Sequence, residues 1–126
     1  MPTNVNEMLA AARAAVPAVT PTEAASLVET SDALIVDIRD GTEVAASGKV
    51  KGSLAISRGL LEFRADPESS SHHPAFRKDR PIILYCASGG RAALAGKMLL
   101  DLGFKDVRNL GGLKDWVAAG GATEPA

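Results

Sequence analysis

A single cysteine, Cys86, stands in the 126 residues of this chain, so no internal disulfide can form. Such scarcity agrees with a reducing compartment and leaves the thiol as either small core filler or a reactive group. Long hydrophobic runs are also missing. The longest, Ile82 to Ala87, falls far short of the roughly 20 residues that a membrane-spanning helix needs. The apolar stretch from Met8 to Ala18 lacks the pattern of a signal peptide, since no Lys or Arg precedes it and Arg13 interrupts it. A soluble, cytoplasmic protein is expected. Neither sign of charge prevails: 14 basic residues against 15 acidic ones give a formal charge of −1. That offers no general attraction to nucleic acid or to a membrane surface, so any anion site must be local. The length suits one compact domain rather than two, and no internal repeat is present.

What is there reads as alternating helices and strands. Val5, Met8, Leu9, Ala12 and Val16 fall at helical spacing, with Asn4 and Glu7 three apart as a cap pair. Pro17 and Pro21 break the chain, and Thr22 is placed to cap a second helix running through Val28. ALIVD, Ala33 to Asp37, has strand length and polar borders. A helix over 41–47 and a short strand over 54–56 follow. Residues 58–80, rich in Ser, Pro and charge, read as a surface excursion with one helical turn near Leu60. Pro81 to Cys86 is the strongest strand signal, because an apolar and aromatic run follows a proline suited to a strand's first position. A helix over 90–102 ends at Gly103, a strand covers 106–109, and a last helix carries Leu113, Trp116 and Val117. This order predicts an α/β fold with a parallel sheet and helices on both faces.

The stretch YCASGGRAAL, residues 85–94, puts the thiol at the carboxyl end of that strand, just before a helix. Ligands of open parallel sheets gather there, where the next helix opens with unpaired N–H groups. Ala87, Ser88, Gly89 and Gly90 leave the backbone free to curl. The amides from Ala87 to Arg91 are therefore expected to turn inward as a nest around the sulfur. Helix terminus, amides and the Arg91 guanidinium would all favour a thiolate. The same donors would hold a second anion against it. Arg91 could instead pair with a carboxylate at the base of the helix.

Four segments resemble the single-domain rhodaneses: LIVDIRD followed by Glu43, GKVKGSLAIS at 48–57, ILYCASGGRA at 83–92, and LGFKDVRNLGGLKDWVAAGG at 102–121. The matching domain would span 21–122, with residues 1–20 as an amphipathic helical extension and 123–126 as a tail. The resemblance implies a rhodanese-like fold with a five-stranded parallel sheet. It further implies a sulfurtransferase in which Cys86 takes a sulfane sulfur from a donor such as thiosulfate, holds it as a persulfide, and yields it to cyanide or a thiol. Ala87, Ser88, Gly89, Gly90 and Arg91 become the substrate cradle, while Asp37 and Arg39, the family's D-x-R, brace the site. No cofactor or metal is implied; the partners are a small sulfur-containing anion and a thiol or protein acceptor. Lys49 and Lys51 replace the His and Pro common at those positions, while Gly48 and Gly52 keep the turn. The loop matches neither the basic loop of thiosulfate-preferring two-domain enzymes nor the mercaptopyruvate type, which leaves the donor open.

Two other readings compete. A phosphatase or arsenate reductase also pairs a loop cysteine with an arginine. Rhodanese-fold phosphatases, however, put five residues between them, and here Ala87 to Gly90 make four, a narrower bowl suited to one sulfur atom. A non-catalytic regulatory module would fit the fold alone, but the retained cysteine argues against it. Arg58 follows the strand over 54–56 and is expected to help bind an anion at the same mouth. His72 and His73, adjacent in a polar loop, lack metal-ligand spacing. Trp116 is expected in the core.

Overall fold

The computed structural model describes residues 2–126. Helices α1 (Val5–Ala15) and α2 (Pro21–Ser31) precede strand β1 (Leu34–Asp37). Next come α3 (Gly41–Ser47), the short strands β2 (Lys49–Val50) and β3 (Leu54–Ala55), a 3-10 turn at Arg58–Leu60, and α4 (Leu61–Ala65). Strand β4 (Ile82–Cys86), helix α5 (Gly90–Asp101), strand β5 (Val107–Gly112), helix α6 (Leu113–Ala118) and strand β6 (Thr123–Glu124) complete the chain. No helix of the described residues is long and apolar enough to cross a membrane.

The central sheet runs in the order β3-β1-β4-β5, and each of its pairings is parallel. A lone rung between Ala18 and Asn109 extends it beyond β5. The sheet thus has four strands and this rung rather than the five strands that the resemblance implied, and Pro17 and Pro21 keep the rung short because neither can donate to a ladder. Thr123 and Glu124, within the expected tail, pair antiparallel with β2. Glu124 clasps that ribbon, accepting from Lys49 Nζ at 2.8 Å and from the Gly52 amide at 3.0 Å.

Successive side chains of β4 point to opposite faces of the sheet. Ile82, Leu84 and Cys86 join Val36, Phe76 and Leu99 on the face that α5 covers, whereas Ile83 and Tyr85 join Ile35, Leu110 and Trp116 on the other. Both faces are covered, which is why this strand reads as an unbroken apolar run. Helix α1 packs along α5. Gly96 admits it: a Cβ there would stand 2.9 Å from each methyl of Val16, the residue that caps α1. Thr20, rather than Thr22, caps α2. Its hydroxyl accepts from the Glu23 amide at 3.1 Å while Glu23 Oε1 accepts from the Thr20 amide at 2.9 Å, and Pro21 fills the first turn, where a missing N–H goes unused.

The register of β5 slips beside β4. Asn109 faces Leu84 and Gly111 faces Tyr85, leaving Leu110 as an extra residue. Immediately after the slip, Gly112 meets the loop that follows β4, so closely that a Cβ would lie 2.1 Å from the Ala87 carbonyl oxygen. Gly112→Ala is therefore expected to displace the loop and lower stability by roughly 1–3 kcal/mol. Urea unfolding checks this: an unchanged midpoint would contradict so close an approach.

Candidate active site

Strand β4 delivers Cys86 to the carboxyl edge of the sheet, where the side chain is 1% exposed and shares a cluster with Val16, Ala92 and Ala95. Gly89 turns the backbone through a left-handed conformation (φ 95°), which a side chain would resist. That turn aims the Gly89 amide at Cys86 Sγ, 3.1 Å away. It is the one main-chain amide among the described residues that donates to the sulfur; the other amides of the stretch from Ala87 to Arg91, expected to turn inward, make no hydrogen bond to Sγ. The reason lies in the shape of the loop: Ala87 and Ser88 bulge into solvent before Gly89 folds back, and Gly90 already begins α5.

A second bracket holds Gly89 from the far side. Asn109 Nδ2 donates to the Gly89 carbonyl at 3.0 Å, and Asn109 Oδ1 accepts from the Gly111 amide at 2.9 Å. One side chain thus ties the cysteine loop to the slipped end of β5.

Arg91 and Arg58 are engaged elsewhere. Arg91 makes a bidentate pair with Glu43 of α3, at 2.7 and 3.0 Å. This hydrogen-bonded pairing outweighs partial burial and holds the Glu43 carboxyl down to about 2, and it raises Arg91 well above the usual arginine range. Arg58, expected at the mouth, instead pairs with Glu62 one turn on, at 2.8 Å. Arg58 and Arg91 line a cleft of about 510 Å3 between α1 and α5, and Cys86 is not part of its wall.

Asp37 and Arg39 form a buried network. Asp37 is fully buried and Arg39 is 5% exposed. Arg39 Nη2 donates to Asp37 Oδ2 and to the Gly48 carbonyl, each at 2.7 Å, and Nη1 donates to Ser47 Oγ at 2.7 Å. The guanidinium also lies 5.8 Å from the centre of the Tyr85 ring. Burial first, and the neighbouring Asp37 second, push the Tyr85 hydroxyl up to about 12, so it stays protonated at neutral pH and accepts from the Val50 amide at 3.0 Å. The pair joins the end of β1 to α3 and β2. His72 and His73 are turned to their own loop, with His72 Nε2 3.2 Å from the Phe76 carbonyl and His73 Nδ1 accepting from the Ala75 amide at 3.0 Å. Among the described residues no cluster of three or more His, Cys, Asp or Glu is placed to hold a metal.

The family model for the Rhodanese-like domain matches residues 20–119, which takes in β1, the cysteine loop and α6. The chain belongs to the rhodanese family. A sulfurtransferase of Allochromatium vinosum is 36% identical over 95 residues, covering 75% of this chain and 80% of that protein. A tRNA uridine(34) hydroxylase of Nitrobacter winogradskyi is 34% identical over 94 residues, and there the match covers only 36% of the relative. Among solved structures, a Rhodopseudomonas palustris protein of unknown function, described as a possible tyrosine phosphatase, superposes with a TM-score of 0.88 at 39% identity over 98% of this chain and 96% of its own. The polysulfide-sulfur transferase homodimer of Wolinella succinogenes gives 0.74 at 32% identity, over 95% and 86%.

Sequence reasoning about this rhodanese domain named Cys86, Arg91 and the D-x-R pair but missed three partners. Glu43 went unassigned as the mate of Arg91, although it follows the D-x-R stretch. Asn109 gave no signal, because its role needs Gly89 and Gly111 to converge on it. Gly112 was read as the start of a helix rather than as a point of close approach. Glu43 also carries a pH dependence. Its carboxyl is lower in the folded than in the unfolded chain, so its stabilisation is complete above the ordinary carboxylate range and is lost as pH falls from 4.5 toward about 2. In acid unfolding, Glu43→Gln should flatten the loss of stability across that window; equal slopes would contradict the pairing.

Proposed function

We propose that this rhodanese domain moves a sulfane sulfur from a donor such as thiosulfate to a nucleophilic acceptor, through a persulfide on Cys86. The observation that carries this reading is the Gly89 amide donating to Sγ at the end of β4. A backbone N–H so placed can donate to an anionic sulfur as well as to a neutral one. The thiosulfate sulfurtransferase of Pseudoalteromonas translucida, 34% identical over 95 residues and matched over 81% of its length, supports the donor class. A lone thiol suits a reducing cytoplasm.

In the first half-reaction the Cys86 thiolate attacks the outer sulfur of thiosulfate. The donor's S–S bond breaks and sulfite departs with the bonding electron pair, leaving Cys86–S–S⁻. In the second, cyanide or a thiolate attacks the terminal sulfur and the Cys86 thiolate is released. At 1% exposure the thiol is covered, so donor entry requires the Ala87–Gly90 segment to open, and its two glycines lower the cost of that motion. Arg39 and Asp37, locked together, support the frame rather than meet the donor. Arg58 is left out of the transfer. An exposed pair such as Arg58–Glu62 contributes little, and Arg58→Ala should change the thiosulfate KM by less than about twofold.

The Rhodopseudomonas palustris neighbour favours a second reading, a phosphatase. Against it stand the four-residue loop between Cys86 and Arg91 and the commitment of Arg91 to Glu43, because a phosphatase needs that guanidinium on the phosphate. One experiment separates the readings. The protein is incubated with thiosulfate and its intact mass recorded, beside Cys86→Ser and beside an assay of phosphate-ester hydrolysis. We expect one added sulfur atom, lost on cyanide treatment and absent from the variant. Ester hydrolysis without sulfur uptake would replace this reading by the phosphatase, and neither activity would leave a regulatory module.

A further inference from the structure

Three of the arginines grouped around the cysteine loop and its flanking clefts are spoken for: Arg39 by Asp37, Arg58 by Glu62 and Arg91 by Glu43. A fourth is not. Arg13, in the last turn of α1, is exposed and has neither an ion pair nor a side-chain hydrogen bond among the described residues. It lines a cleft of about 290 Å3 together with Ser88 and Gly89 of the loop and Asn109 and Gly111 of β5. Cys86 does not line this cleft; what links the two is the stretch of main chain in its wall whose Gly89 N–H holds the sulfur and whose Gly89 carbonyl Asn109 grips. Helix α1 also lies over the sheet face that carries Cys86. Its cap residue Val16 and Cys86 share one cluster, and Leu9 reaches to 4.0 Å of where a Gly90 Cβ would stand.

We propose that Arg13 is a substrate-binding residue that grips the anionic end of the sulfur donor in this cleft, an assignment that rests on the transfer reading above. A thiosulfonate-type donor brings negative oxygens toward a sulfur whose one main-chain donor among the described residues is a neutral amide. An unpaired guanidinium in the cleft that Gly89 helps to line supplies the missing charge, and its fork of N–H groups matches two oxygens of a sulfonate at once. The guanidinium holds the oxygens while the donor's S–S bond breaks and remains on them as sulfite leaves with the electron pair. Arg13 precedes residues 20–119, the span that matches the family domain. The contribution is therefore an addition by this chain's N-terminal helix, and it would set which donors this protein accepts. Lys114 is the natural comparison. It has no ion pair among the described residues, but it stands on α6 and lines a separate cleft with Ala87 and Arg39.

The test uses two donors that present the same outer sulfur: thiosulfate, a dianion, and methanethiosulfonate, a monoanion whose leaving group is methanesulfinate. Arg13→Ala should raise the thiosulfate KM about three- to tenfold with kcat held within about twofold, and raise the methanethiosulfonate KM less. Arg13→Lys should recover much of the loss, and added salt should narrow the difference. Lys114→Ala should leave both constants within about twofold. Alanine at an exposed helical position favours the helix, and a urea midpoint verifies that the variant is folded. An unchanged thiosulfate KM, equal losses with the two donors, or an equal loss in Lys114→Ala would overturn the role of Arg13 while sulfur uptake by Cys86 stood. If the unaltered protein took up no sulfur from either donor, the transfer reading would fall and this assignment with it.

Discussion

Main chain pressed against main chain at the carboxyl edge of the sheet is the constraint on which the rest depends. The slipped end of β5 reaches the loop after β4 at Gly112 and Ala87, where no side chain would fit. From that contact the loop has room for one left-handed turn at Gly89, and the turn presents an amide to Cys86 Sγ. Asn109 closes the arrangement from β5 by holding both Gly89 and Gly111. The sulfur is thus held by the backbone. For a thiol at 1% exposure this matters, because a charged side chain brought to the same depth would have to be desolvated, whereas a peptide N–H needs only one acceptor.

Charged groups sort by depth around that edge. Asp37 and Arg39 are buried, and their network gives every guanidinium nitrogen an acceptor, with Ser47 and the Gly48 carbonyl taking two hydrogens that Asp37 does not. Such a pair tolerates no missing partner, since either ion alone would be left in a medium that stabilises it poorly. Arg91 and Glu43 lie nearer to solvent and are bidentate, which gives them orientation as well as attraction. Arg58 and Glu62 form an ordinary exposed pair along a helical turn. Once these commitments are made, the positive charge still free beside Ser88 and Gly89 comes from α1.

The layers follow from the pleat of β4. Alternate residues send Cys86 and Tyr85 to opposite faces, so the thiol answers to α5 and α1 while the phenol answers to Arg39 and β2. Helix α1 is fastened to α5 through the gap at Gly96. In this way an element outside the matched family span becomes a wall of the clefts on both sides of α5's first turn. The β2–β6 ribbon does comparable work, since Glu124 and Lys49 steady the strand that follows Gly48, whose carbonyl accepts from Arg39.

Much of this was legible along the chain. The apolar run ending at Cys86, the small residues after it and the helix from Gly90 are matters of period and punctuation, and each was read within a residue or two. The resemblance to rhodaneses rested on residues in linear order and was equally visible. Errors came at one local cap and where two distant segments had to meet. Thr22 was preferred to Thr20 because the reciprocal bonds with Glu23 went unread. The five-stranded sheet implied by the resemblance is four strands and one rung between Ala18 and Asn109, a rung that Pro17 and Pro21 flank and keep short. By itself, then, the sequence determined the order of elements, the station of the cysteine and the family, since these depend on neighbours a few positions apart. Tertiary structure alone decided that Arg91 meets Glu43, whereas the pairs Asp37–Arg39 and Arg58–Glu62 join near neighbours in the chain. Glu43 and Arg91 lie 48 positions apart, and no local pattern can encode a distance that only the closed sheet brings to contact.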